Sequence, residues 1–148
     1  MHKRKILKEL IDHIPRKEFI ILTGARQTGK TTLLKQINNF LDKGNEKSYF
    51  LNLEDPDILK SLNRHPENVF QLIALDQNNK SYLLIDEIQY LDNPSNFLKL
   101  LYDKYNQQLK IIATGSSAFH IDKKFRDSLT ERKKIFELYT LDFEEYLQ

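Results

Sequence analysis

An apolar run, Phe19-Ile20-Ile21-Leu22, leads straight into Gly24-Ala25-Arg26-Gln27-Thr28-Gly29-Lys30-Thr31-Thr32, and then into a helical pattern, Leu33-Leu34-Lys35-Gln36-Ile37. No other stretch constrains the fold as much. Gly24, Gly29, Lys30 and Thr31 match G-x-x-x-x-G-K-[ST], in the strand–loop–helix setting the motif requires. Glycines let the backbone turn tightly, so that successive N–H groups face one concavity and hold an anion. The helix that starts there adds the positive end of its dipole at the same place. The spacing therefore predicts that residues 24–32 cradle nucleotide phosphates, with Lys30 at the β- and γ-phosphates and the Thr31 hydroxyl on Mg²⁺.

The remaining chain alternates between two periodicities. Ile6, Leu7, Leu10 and Ile11 share one face of a helix over 4–13, which Pro15 bounds. Strands are predicted at 19–23, 48–53, 82–86, 109–114 and 134–139. Between them fall the loop helix to about Leu41, two helical pieces parted near His65-Pro66, and a helix from Asn93-Pro94-Ser95 that aligns Phe97, Leu98, Leu101 and Tyr105. A short basic segment through Lys123, Lys124 and Arg126 precedes the last strand, and a helical scrap, Asp142 to Leu147, follows it. Short, nearly all-apolar strands that alternate with helices predict an α/β fold, its parallel sheet covered on both faces and joined by right-handed crossovers.

Composition narrows the function classes. At 148 residues the chain reads as one domain, and its 40% hydrophobic and 30% charged residues read as soluble and globular. Lys plus Arg number 23 against 21 for Asp plus Glu, a net charge of +2, which argues against a chain-wide nucleic-acid or membrane footprint but leaves room for local patches. Without cysteine there is no disulfide framework and no thiolate metal site. The start, Met1-His2-Lys3-Arg4-Lys5, lacks the apolar stretch of a signal peptide, and no run reaches the ~18 apolar residues of a membrane span. A cytoplasmic protein is expected.

Three further stretches carry chemistry. Tyr82-Leu83-Leu84-Ile85-Asp86-Glu87 ends an apolar strand in two acids, where α/β sheets hold their ligands. Asp86 suits Mg²⁺, through water, because that hard cation prefers oxygen and keeps part of its hydration shell. Glu87 is placed to orient or deprotonate an attacking water. An acidic water-activator beside the magnesium acid favours ATP hydrolysis over GTPase or small-molecule kinase chemistry, and Asn79-Lys80-Ser81-Tyr82 does not complete a guanine-reading Asn-Lys-x-Asp. In Ile111-Ile112-Ala113-Thr114-Gly115-Ser116-Ser117, either Thr114 or Ser116 could sense the γ-phosphate. Arg132, just before the fifth strand, reads either as a residue reaching across a subunit boundary to the transferring phosphoryl group or as part of a solvated basic turn. Lys123, Lys124, Arg126, Arg132, Lys133 and Lys134 raise a nucleic-acid-handling reading, against which Asp122, Asp127 and Glu131 interleave.

These motifs, in this order, resemble the AAA+ superfamily of P-loop ATPases. Within it the chain is most similar to the prokaryotic family of AAA ATPases that carry a C-terminal nuclease-like domain of unknown function. The likeness rests on GARQTGKTTLL, on Tyr49 to Glu54 followed by Asp55-Pro56, on LLIDEIQYL and IIATGSSA, and on the tail LYTLDFEEYL. It implies a three-layer α/β/α sandwich around a five-stranded parallel sheet, with ATP and Mg²⁺ as cofactors. Lys30 and Thr31 would bind nucleotide and magnesium, Asp86 the magnesium, and Glu87 would be the base. Thr114 or Ser116 would be the first sensor, and Arg132 an arginine finger completing a neighbour's site by self-association. The family usually has Gly-Arg where this chain has Glu131-Arg132, and Pro and Ser in the tail at Thr140 and Asp142. Residues 1–148 are then expected to be an ATPase core without the helical lid and C-terminal domain, coupling hydrolysis to conformational change. A slow nucleotide-gated switch or scaffold is the alternative use of the same residues.

Overall fold

A computed structural model describes residues 2–24, 29–116 and 132–138. In chain order the elements are α1 (His2–His13), β1 (Phe19–Gly24), α2 (Lys30–Lys43), β2 (Lys47–Asn52), α3 (Pro56–Arg64), a 3₁₀ turn (Pro66–Gln71), β3 (Ser81–Asp86), a second 3₁₀ turn (Ile88–Tyr90), α4 (Pro94–Tyr105), β4 (Leu109–Ser116) and β5 (Lys133–Leu138). The five strands form one parallel sheet in the order β2-β3-β4-β1-β5. The α/β class and the five-stranded parallel sheet are as the sequence predicts. Strand limits differ by a residue or two, β4 running on to Ser116, and the piece after Pro66 is 3₁₀ rather than α-helical.

Alternation along each strand sorts side chains to two faces. Ile20 and Leu22 of β1, Tyr82 and Leu84 of β3 and Ile112 of β4 pack with Leu10 and Ile14 of the α1 region and Leu33, Leu34, Ile37 and Leu41 of α2. Phe19, Ile21, Leu83, Ile85, Ile111 and Ala113 face the other way, onto Leu62 of α3, Val69 of the first 3₁₀ turn and Phe97, Leu98 and Leu101 of α4. That is helix, sheet, helix. Each fully buried Leu or Ile stabilises the sandwich by about 1.5–3 kcal/mol relative to exposure. The connection from β1 passes over β4 and β3 to reach β2, whereas β2, β3 and β4 follow one another back. Right-handed crossovers in opposite directions place α2 on one face and α3 and α4 on the other. The C-terminal ends of β1, β3 and β4 are therefore left side by side beneath the start of α2.

Helix starts are set by local chemistry. The Asp55 side chain accepts from the backbone N–H of Asp57 and Ile58, with Pro56 opening α3. Asn93 accepts from the N–H of Asn96, with Pro94 opening α4. No described helix is long and apolar enough to cross a membrane.

At the other end of the sheet, the fully buried Lys110 of β4 donates from Nζ to the carbonyls of His13 (2.7 Å) and Arg16 (2.6 Å), tying the end of α1 to the central strands. Burial lowers its pKa from 10.5 to about 8. Replacing it by Met strips both carbonyls of their donor and should lower stability by about 1–3 kcal/mol. A folded-state pKa below the unfolded one means that the unfolded chain binds more protons between pH 8 and 10.5, so this group's contribution rises with pH across that window. Urea unfolding of wild type and Lys110→Met at pH 7, 9 and 10 should show the wild-type advantage growing; a constant difference would contradict the buried, pKa-lowered lysine.

Candidate nucleotide-binding site

Gly29 opens α2 in the left-handed region, at φ 88° and ψ 17°, and no side chain caps the helix there. This conformation is cheap only for glycine, which accounts for the residue immediately before Lys30. A helix start of this kind, with no side-chain cap, is an arrangement that suits an anion. Lys30 is only 6% exposed and donates from Nζ to the Gly24 carbonyl at 2.6 Å, which links the first turn of α2 to the end of β1. Ala25, Arg26, Gln27 and Thr28 lie outside the described residues.

Beneath the loop, the Asp86 carboxylate is buried and accepts two hydroxyls. Thr31 donates to Oδ2 at 3.0 Å and Oδ1 at 3.3 Å, and Thr114 donates to Oδ1 at 2.5 Å. Thr114 in turn accepts the backbone N–H of Glu87 at 2.9 Å. Glu87 itself is left-handed, at φ 68° and ψ 50°, a strained state for a residue with a Cβ. In a continuing strand, residues 86 and 87 would point to opposite faces. The turn at Glu87 breaks that alternation, and both acids line one cleft of about 390 Å³, together with Gly29, Lys30, Thr31, Thr32 and Glu54.

Of the sequence-predicted residues, Gly29, Lys30, Thr31, Thr32, Asp86 and Glu87 line the cleft, and Thr114 stands behind it on Asp86. Ser116, at the last position of β4, is partly buried, while Thr114 sits inside the strand and is fully buried. Two polar residues were not foreseen. Glu54, just past β2, lines the cleft. Gln89 donates from Nε2 to Glu87 Oε2 at 2.8 Å and accepts the Ser116 N–H on Oε1 at 3.2 Å. Both lie within stretches already noted, yet a polar residue one turn past a strand carries no signal of its own.

Arg132 stands elsewhere. Its carbonyl accepts the N–H of Phe19 at the start of β1, and its Nε donates to Asp103 of α4 at 2.7 Å. Strands of this length span roughly 17–20 Å, so Arg132 and the cleft of its own chain lie at opposite ends of the sheet. Lys134 lies 5.9 Å from the centroid of the Phe136 ring. Lys123, Lys124, Arg126 and the tail Asp142 to Leu147 fall outside the described residues.

A sequence profile described as AAA domain matches residues 16–147. The chain belongs to the AAA domain family. An uncharacterised protein of Methanocaldococcus jannaschii is 39% identical over 154 aligned positions, which take in 96% of this chain and 31% of that protein. The chain spans between 28% and 37% of the length of the first three curated relatives it matches. Among solved structures, Drosophila ORC bound to DNA superposes with a TM-score of 0.63 at 14% identity, covering 96% of this chain and 93% of that one. PCH-2 of C. elegans superposes with a TM-score of 0.60 at 18% identity, covering 93% and 42%. These neighbours share the fold of this AAA domain.

The described residues of the AAA domain contain no cluster of three His, Cys, Asp or Glu side chains able to hold a metal by themselves. Thr31 and Asp86 offer a hydroxyl and a carboxylate within hydrogen-bond reach of each other, an all-oxygen pair suited to Mg²⁺, which takes its remaining ligands from water and phosphate.

Thr114→Val keeps the shape and removes the hydroxyl that serves both Asp86 and the Glu87 N–H. It should destabilise the domain by about 1–3 kcal/mol, whereas Thr114→Ser stays near wild type. Chemical denaturation of the three proteins measures this; equal stability of the Val variant would remove the clamp from the account.

Proposed function

We propose that this AAA domain binds ATP with Mg²⁺ and hydrolyses it in the cleft between the start of α2 and the ends of β3 and β4. The observation that carries the reading is the convergence of Lys30, Thr31, Asp86 and Glu87 on that one cleft from two elements distant in sequence. Lys30 and the positive end of the α2 dipole would neutralise the phosphates. Thr31 and Asp86 would hold Mg²⁺, which when bound offsets charge on the β- and γ-phosphate oxygens. Glu87 would accept a proton from the water that attacks the γ-phosphate. Ser116, at the tip of β4, is the better candidate for sensing that phosphate, because the Thr114 hydroxyl is already used by Asp86 and Glu87.

Such chemistry is mostly positioning and electrostatics, so single groups should matter severely. Lys30→Ala should weaken ATP binding by at least about tenfold, with a small loss of stability from the missing bond to Gly24. Glu87→Gln should keep binding and lose turnover. Titration with a fluorescent ATP analogue and phosphate release, with and without EDTA, are the measurements. Equal ATP affinity in wild type and Lys30→Ala would remove the site assignment, and unchanged turnover in Glu87→Gln would remove the base.

Arg132 lies far from its own cleft, so any contact with a transferring phosphoryl group has to be made on a second copy. Turnover per molecule that rises with protein concentration, and stops rising in Arg132→Ala, would support that reading. Concentration-independent turnover would oppose it. Curated relatives are longer than this chain, which supports a role as the ATPase core of a larger protein whose conformation the cycle drives. A nucleotide-gated switch uses the same residues, and a hydrolysis rate far below that of nucleotide exchange would favour it. ORC was solved with DNA, which keeps a nucleic-acid role for the larger assembly in view.

A further inference from the structure

We propose that Gln89 is a positioning residue for hydrolysis, holding the Glu87 carboxylate to the end of β4 so that the aim of the base follows Ser116. The inference rests on the reading in which Glu87 activates water. Gln89 lies in the 3₁₀ turn that immediately follows Glu87. Its amide is engaged at both ends, accepting the Ser116 N–H at 3.2 Å and donating to Glu87 Oε2 at 2.8 Å.

The orientation of that amide is decided by its neighbours. A backbone N–H can only donate, so the carbonyl oxygen of Gln89 has to face Ser116. The NH₂ group then has to face Glu87, and a carboxylate is the acceptor it meets. Of the straight side chains of similar reach, ionised Glu only accepts and Lys only donates, whereas the Gln amide does both from one planar group. Glu at position 89 would accept from Ser116 and set a second carboxylate against Glu87.

Glu87 needs such a hold. Its long side chain has several rotatable bonds, and on a left-handed backbone its direction is not set by a helix or strand. The backbone N–H of Glu87 is fixed by Thr114 and its Oε2 by Gln89, both partners belonging to or fastened to β4. Oε1 remains as the oxygen that takes the proton of the water. A shift of the β4 tip, where Ser116 would meet the γ-phosphate, moves the Gln89 carbonyl and with it the carboxylate. Sensing and proton abstraction are thus linked through one side chain.

The test is single-turnover ATP hydrolysis at saturating Mg-ATP with protein in excess, using wild type, Gln89→Ala, Gln89→Glu, Glu87→Gln and the double variant Glu87→Gln/Gln89→Ala. Affinity for a non-hydrolysable ATP analogue is measured alongside. Gln89→Ala should slow the chemical step about ten- to a hundredfold while analogue affinity changes less than about twofold, the signature of a misplaced catalytic group. Gln89→Glu should fall at least as far. In the Glu87→Gln background the Gln89→Ala change should cost nothing further, since its effect passes through Glu87. Gln89→Met, which keeps the stem of the side chain, gives the same reading if the Ala variant loses its cooperative unfolding. A wild-type rate in Gln89→Ala and Gln89→Met, or a further loss of about tenfold or more when Gln89→Ala is added to Glu87→Gln, overturns the proposal while leaving Glu87 as the base. A wild-type rate in Glu87→Gln overturns both.

Discussion

The buried carboxylate of Asp86 is the interaction on which the site depends. A carboxylate with so little exposure has to be surrounded by donors, because desolvation without them costs several kcal/mol. Here the donors are hydroxyls from two different elements, Thr31 in the first turn of α2 and Thr114 in β4. One side chain thereby fixes the start of α2 against β3, which carries Asp86, and against its neighbour β4, which carries Thr114. The sheet order makes this affordable: β3 and β4 are adjacent and β1 lies next to β4, so the ends of three strands meet under one helix start.

Around that anchor the site is built from backbone as much as from side chains. Gly29 takes a left-handed conformation that leaves the first turn of α2 without a side-chain cap. Glu87 takes the same kind of conformation without being glycine, and the Thr114 hydroxyl that accepts its N–H holds it there. The strain has a consequence: two successive acids, which a regular strand would send to opposite faces, enter one cleft. Gln89 extends the same logic to the side chain of Glu87, and Lys110 does for the far end of β4 what Thr114 does for the near end. β4 is thus tied at both ends.

Much of this was legible beforehand. The loop motif names its own residues because glycine, lysine and a hydroxyl at that spacing have few other uses between a strand and a helix. Asp86 was legible because an acid ending a buried apolar strand has to be satisfied by something at the edge of the sheet. Thr114 and Ser116 were not separable, since both are hydroxyls near a strand end; burial and hydrogen bonding to Asp86 distinguish them. Arg132 could be placed in sequence but not in space. Only the parallel pairing of β1 with β5 shows it at the edge of the sheet remote from the cleft.

Local sequence therefore determined most of the described elements, the glycine turn that opens α2 and the position of the two acids at a strand end, because periodicity, glycine and capping chemistry act over a few residues. Tertiary structure alone decided which strand ends meet, that Glu87 turns into the cleft beside Asp86, and that Gln89 bridges Glu87 to Ser116. Those outcomes depend on contacts between residues some 27 or more positions apart, which crossover handedness and packing select and no local pattern encodes.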